Sequence, residues 1–484
     1  MKRILLTISV LVAAVINCGA QNSQSEFFLD NNVYSYRINP ALAGEKGFVG
    51  IAIGNIDIAL NSNLGINSFL YPKPSGQGLV TGLNKSISSK EFLSRLKNVN
   101  SLNEDFGMSI LAFGFWQKEK EVFHNVEINV REMANTSLPK DWFALLKSGS
   151  RETPYNLSNT NVSGLGFVEI AYGQSRSVNE KISVGGRAKL LLGLANVNTN
   201  FNDASLKLNG SELYCGINGE LRGAIPFIKF GTKTSQYDPS RKNILDFSKM
   251  EFDYSNISPA GYGLTFDLGV TYKPLNDLTL SFSVLDLGAL GWKYNTVGKS
   301  VAGYTFTGFA LDLSGEGIQQ ESQKALDSAM ELVEFEKQNG SVTSVEMLPC
   351  RLNLGARYRM PFYNRLSVGF LGTYRISRYM PWFDARFGAT ITPIDWLSLS
   401  GNYSFSTYGN NFGAVLSLNA ASINFIFGLD AYSGKVSKLK WDKLDVPWLS
   451  AMPLPLGAFH YNLRLGITIT FGTRHNDLCS IRKQ

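Results

Sequence analysis

The stretch Tyr461-Asn462-Leu463-Arg464-Leu465-Gly466-Ile467-Thr468-Ile469-Thr470-Phe471 alternates apolar and polar residues without a break. Tyr461, Leu463, Leu465, Ile467, Ile469 and Phe471 share one face, and Asn462, Arg464, Gly466, Thr468 and Thr470 the other. Successive side chains on a strand point to opposite sides, so this segment has one face suited to lipid and one suited to a polar interior. A slip of one residue would put Arg464 on the apolar face, which pins the register. About ten residues rise ~33 Å, and a tilt near 45° brings that to ~23 Å of membrane, or one crossing.

Working outward, 397–406 repeats the pattern, with Leu397, Leu399, Tyr403 and Phe405 against Ser398, Ser400, Asn402, Ser404 and Ser406. The segments 352–358, 366–374, 383–391, 412–420 and 423–429 do the same. Earlier strands, 48–60, 106–115, 122–130, 162–172, 182–192, 264–272 and 278–284, are less regular, and 206–231 reads as a further pair. Tyr358, Tyr374, Trp382, Trp396, Tyr403 and Tyr461 gather near strand ends, as interfacial girdles require. Short connections such as Thr392-Pro393-Ile394-Asp395 end pairing and reverse the chain. The expected fold is an all-β transmembrane antiparallel up-and-down barrel of about 14 to 16 strands, with short helices in loops or plug. Residues 304–313 must be paired or lie outside the membrane.

Composition agrees. Charged residues are 18%, aromatics 12% and glycines number 46, against roughly 25% charge in soluble domains. The net charge of +7, without Lys or Arg runs, gives no footprint for nucleic acid. Three patterns have helical period: 90–99, 138–146 and 319–337. They read as plug, cap or ordinary loop helices.

Residues 1–20 have the form of a secretory signal peptide: Lys2 and Arg3, an apolar run, then Cys18-Gly19-Ala20 before Gln21. Asn17 stands where a lipoprotein signal carries a small residue before the acylated Cys. The remaining plan is a periplasmic or hatch segment over 21–46, a barrel over 47–471 and a periplasmic tail over 472–484. Short turns on the periplasmic side send the last strand inward, which places the protein in the outer membrane of a Gram-negative bacterium. Cys215, Cys350 and Cys479 are too few and scattered for a disulfide scaffold.

Arg464, Gly466, Ile469 and Phe471 resemble the assembly signal of outer-membrane barrels, which implies handling by the barrel assembly machinery and contact with outer-membrane lipid. The match departs from the usual form in the tail that follows. Asn39-Pro40-Ala41, extended to Gly44, resembles the hatch region of the FadL/TodX transporter family and also the start of PorP/SprF-type barrels of type IX secretion. The spellings Gly185-Gly186-Arg187-Ala188-Lys189 and Leu268-Gly269-Val270-Thr271-Tyr272-Lys273-Pro274 are similar to FadL-like barrels too. These resemblances imply either uptake of hydrophobic or anionic amphiphilic small molecules, or a structural, secretion-associated barrel that works through loops such as 435–459.

Inward positions carry Arg187, Lys189, Arg351, Arg357, Arg359, Arg375, Arg386 and Arg464 against Glu169, Asp267, Asp384 and Asp430. The lumen therefore reads as basic. Two meanings are open: guanidinium groups that hold an anionic ligand, or ladders of paired charge that stiffen the wall. His124, His460 and His475 match no zinc or triad spacing, and His460, beside Tyr461, reads as interfacial. No catalytic residue, metal or cofactor is assigned.

Overall fold

The computed structural model describes residues 24–472, apart from positions 31, 73–78, 118–119, 150–152, 210–211, 237, 301–303, 307–332, 378–380, 421 and 433–455. The expected signal segment over 1–20, and most of the 472–484 tail and the 435–459 loop, lie outside the described residues.

Fourteen long strands form the wall, each antiparallel to its neighbours. They are β1 Gly47–Ser62, β2 Val99–Gln117, β3 Val122–Pro139, β4 Asn161–Ser177, β5 Ile182–Asn209, β6 Gly261–Leu275 and β7 Leu278–Tyr294. The second half is β8 Cys350–Arg359, β9 Leu366–Ile376, β10 Trp382–Ile394, β11 Leu397–Ser406, β12 Gly409–Ala420, β13 Ile423–Tyr432 and β14 Phe459–Phe471. Each pairs with the next in sequence, and β14 closes on β1, from Gly47 opposite Phe471 to Ser62 opposite Phe459. Closure leaves no wall edge, which a spanning sheet needs because lipid cannot hydrogen-bond an open strand. One end has short turns, at 178–181, 276–277 and 395–396; the other carries the long connections.

Burial follows the alternation. On β6, Tyr262, Leu264, Phe266, Leu268, Val270 and Tyr272 face out, whereas Thr265, Asp267 and Thr271 are buried. On β14, Ile467, Ile469 and Phe471 are exposed, and Asn462, Arg464, Thr468 and Thr470 are buried. Trp382 departs from the girdle expectation: it is buried in a small cluster with Tyr408.

The pair expected over 206–231 is not part of the wall. β5 runs 28 residues, and its far half pairs with Glu212–Ala224 beyond the rim. Strands Ile228–Lys233, Ile244–Phe252, Thr296–Ser300, Tyr304–Phe306, Phe335–Lys337 and Val342–Met347 extend this loop-end sheet. Tyr304–Phe306 pairs with Glu212–Ala224, so it is extramembranous; 307–313 is outside the described residues. The sheet has its own core, including Trp142, Leu145, Tyr155, Leu206, Ile217, Leu221, Leu245 and Phe335. That core explains why the alternation there misleads: the apolar face meets other side chains rather than lipid.

Two expected helices are present, as Ser89–Ser94 and Lys140–Ser148. The Ser88 hydroxyl caps the first by accepting from the Glu91 N–H. Of the third, Phe335–Lys337 is strand and 319–332 lies outside the described residues.

Candidate functional site

Residues 24–44 fold back into the barrel from its turn end. Gln24–Phe28 and Ser35–Arg37 are short 3₁₀ turns, and Phe27, Phe28, Leu29, Val33, Tyr34 and Tyr36 are all buried. Tyr34, Tyr36, Phe48 and Phe123 make one aromatic cluster. Phe27, Phe28 and Ile38 make another with Leu371.

The wall is shaped for this segment. Asn39 spans β6 and β7, its Nδ2 donating to the carbonyls of Val270 and Phe282 at 3.1 Å each, while its Oδ1 accepts from the Ala41 N–H at 2.9 Å. A Cβ on Gly269 would collide with Asn39, and one on Gly185 with the Pro40 carbonyl. Both glycines belong to the spellings singled out in the sequence. At Gly388 a Cβ would lie 2.8 Å from the Phe28 ring. The Gly44 carbonyl accepts from Trp116 Nε1 at 2.9 Å, which fastens the end of the motif.

Above and around the hatch lies a lattice of buried charge. Arg464 Nε meets Glu26 at 2.6 Å and its Nη1 meets Asp57 on β1 at 3.0 Å. Arg37 and the Tyr36 hydroxyl reach Glu127 on β3 at 2.7 and 2.6 Å, and Arg187 bonds the same carboxylate. Lys189 lies 2.7 Å from both Asp267 and Asp286. Asp286 also takes Arg131 at 2.9 Å and Arg351 at 3.2 Å, while Arg131 bonds Glu169 at 2.9 Å. Arg375 pairs with Asp105 at 2.6 Å, and Arg386 with Asp384 and Asp430 at 2.8 Å each. Ser25 of the hatch joins that last group through Asp430 and Arg386.

The structure thus brings Arg187, Lys189 and Arg351 into one network and sets Arg375, Arg386 and Arg464 in pairs nearby. Arg357 and Arg359 stand apart at the turn end, 3.5 and 4.0 Å from Asp30, and Arg359 is about half exposed. The expected basic lumen is overturned, because Glu26, Asp57, Asp105, Glu127 and Asp286 supply the missing negative charge. Glu127 was legible, since Val122, Val126, Ile128 and Val130 mark the opposite face of β3. Asp57 and Asp105 lie past bulges that switch the facing of β1 and β2, and Asp286 sits in a bulge itself. His460 is also corrected: it points inward, buried beside Asn61 and Trp382.

Toward the loop end Phe167, Leu191, Leu290 and Trp292 form an apolar layer across the lumen side of β4, β5 and β7. Among the paired charges is a polar pocket of about 50 Å³, partly open, lined by residues including Asp57, Asp105, Ser109, Arg131, Asp286 and Arg375. That is room for a few waters. Chemically the site is a set of paired, desolvated charges.

Among solved structures, the chain is similar to the toluene transporter TbuX of Ralstonia pickettii (12% identity, TM-score 0.45, covering 94% of this chain and 100% of that one). It is also similar to a FadL homologue of Pseudomonas aeruginosa (11%, 0.45, 94% and 100%) and to the toluene transporter TodX of Pseudomonas putida (10%, 0.39, 94% of each). Identities and scores this low carry nothing about substrate. No curated protein matches the chain. The model of a family of unknown function, DUF5723, matches residues 40–430, from the hatch motif to β13, and the chain belongs to that family.

Proposed function

We propose that this outer-membrane barrel is closed to solutes along its axis and serves as a scaffold that presents its loop-end sheet outside the membrane for interaction with other macromolecules. The observation that carries this reading is the occupation of the lumen by hatch aromatics and paired charges, with an apolar cluster around Trp292 on the β4–β7 side. A site for an anionic ligand would leave guanidinium groups without carboxylates, and here seven of the eight sequence-predicted cations have one within 3.5 Å. The elaboration of the chain lies instead beyond the rim, where the loop-end sheet has a core of its own. Loops carried by a rigid frame are where binding surfaces concentrate.

The test is conductance of the purified, folded chain in planar bilayers. The intact protein is expected to give no channel steps, and a chain lacking residues 24–44 is expected to give stable ones. Conductance by the intact protein would overturn the closed-lumen reading.

One observation favours a second reading, passage of a small apolar molecule through the wall. On β1, Gly50 pairs with Thr468 but Asn55 with Gly466, so four residues of β1 stand opposite one of β14. The neighbouring β2 is irregular at Ser109–Leu111, beside the polar cavity. Bulges bend a strand and interrupt its ladder. Deleting residues 52–54 would restore the register with β14. If uptake of a labelled fatty acid is present and survives that deletion with the fold intact, the wall route is excluded.

A further inference from the structure

The loop end carries a second apolar surface, adjoining the lipid-facing band. Phe252, Tyr254 and Ile257 are 60%, 79% and 75% exposed, on the segment that leads from Ile244–Phe252 into β6. Phe252 and Tyr254 stack with ring centroids 6.2 Å apart. None of the three belongs to the buried loop-end core. Pro259, also exposed, follows on the same segment.

Hydrogen bonds fix its height. The Ala260 N–H donates to the Gly193 carbonyl at 2.7 Å, which sets the start of β6 at the rim. The Asp253 N–H donates to the Phe227 carbonyl at 2.9 Å. Two residues before Phe227, Ile225 is clasped by Asn295, its N–H at 3.0 Å and its carbonyl at 3.1 Å, and Asn295 directly follows β7. Ala224 stands opposite Asn196, three residues beyond Gly193 on β5. Three residues of tilted strand add ~10 Å of path and ~7 Å of height. The headgroup layer of one leaflet is about 5 to 7 Å thick. The segment therefore leaves the rim within the headgroup layer.

It is also continuous with the band. Tyr262 and Leu264, 63% and 49% exposed, are the next outward residues of β6, and across β7 they align with Val345 and Met347, 71% and 70% exposed. Exposed Lys293 lies on the neighbouring end of β7, and the exposed Lys229 ammonium sits 2.7 Å from Asp253. Aromatic rings with adjacent lysines are the composition of a membrane interface, with amphipathic rings at headgroup level and ammonium groups reaching phosphate.

We infer that Phe252, Tyr254 and Ile257 form a foot that rests in the headgroup region of the outer leaflet, with Lys293 directed to anionic lipid phosphates and Lys229 held by Asp253 beside it. The loop-end sheet then leans on the membrane along the β5–β7 side rather than standing free. This needs the barrel to lie in lipid and is independent of whether the lumen conducts.

The test uses the full chain in nanodiscs of phosphatidylcholine and phosphatidylglycerol, with Cys215, Cys350 and Cys479 replaced by Ser. Nitroxides are placed by Y254C and I257C, by L264C within the lipid band, and by K242C on the connection at the far end of the same hairpin. Heat-modifiable gel mobility confirms the folded barrel in each. Labels at 254 and 257 are expected to show an oxygen-to-nickel accessibility ratio several-fold above that at 242 and approaching that at 264. A ratio equal to that at 242 would show a water-exposed loop, a surface open to a protein partner, and would overturn the inference.

Discussion

Arg464 shows what a single buried charge does in this barrel. Its side chain is almost wholly buried, and its two partners come from different parts of the chain: Glu26 from the hatch and Asp57 from the first strand. Removing one member of a buried pair leaves an uncompensated charge, at a cost of about 3–5 kcal/mol. We expect E26Q and R464M each to lower resistance to denaturant by roughly that order. The double variant is expected to lose clearly less than the sum, as read from gel-shift unfolding curves; full additivity would mean the two groups do not act as a pair. Gly388 gives a steric counterpart. A G388V side chain would enter the space of the Phe28 ring, so the hatch should become open to protease added from the turn side while the wall persists. An unchanged digestion pattern would show that the hatch is not seated on that glycine. At this scale the sequence was half legible. Arg464, Arg386 and Arg187 stand in strict alternation and could be placed inward at sight. Glu26 could not, because it lies on a 3₁₀ turn with no periodicity to aim it.

Among the elements, the regular strands were readable and the bulged ones were not. β8 to β14 alternate cleanly, apart from an irregularity at 391–394 near a turn, because one face meets lipid and the other the lumen. β1 changes facing midway: Phe48 and Gly50 are buried inward before the irregularity, Asp57, Ala59 and Asn61 after it. A fixed two-residue period assigns one half of such a strand to the wrong side. β7 has a comparable break, where Asp286 takes φ +60° and its N–H donates to the Asp267 carboxylate at 2.8 Å. A left-handed residue that is not glycine costs on the order of 1–3 kcal/mol, and here it aims one carboxylate at Lys189, Arg131 and Arg351 together. Asn tolerates this backbone better than Ala. D286N should therefore lose only the charge, and D286A the charge plus backbone strain of about 1–2 kcal/mol. Equal midpoints for the two in a denaturant series would mean that the bulge relaxes.

The described residues divide at the rim into a wall and a loop-end sheet. The wall is held by its closed ladder and lipid band, and the loop-end sheet by a packed apolar cluster around Trp142, Leu206 and Phe335. Leu206 is completely buried there. An L206D carboxylate would be desolvated without a partner, a cost of several kcal/mol. We expect it to unfold the loop-end sheet alone, seen as new protease cuts between 196 and 259 and between 295 and 347 with heat-modifiable barrel mobility retained. Loss of the barrel itself would show that the two parts fold as one. This division was only partly visible in the sequence, since an apolar strand face reads alike whether lipid or another side chain covers it.

The hatch ties reach further than the closed state. Ser25 and Glu26, among the first described residues, find their partners at Arg386, Asp430 and Arg464. Those partners lie on β10, β13 and β14, so Ser25 and Glu26 are tied only when the end of the wall is in place, although Arg37 and Asn39 can already be held by Glu127, Val270 and Phe282. Sealing of the seam between β1 and β14 and the fastening of Glu26 are thus coupled through Arg464, which bonds both Glu26 and Asp57. A chain stalled before its last strand would be open along its side and would lack the Glu26–Arg464 tie.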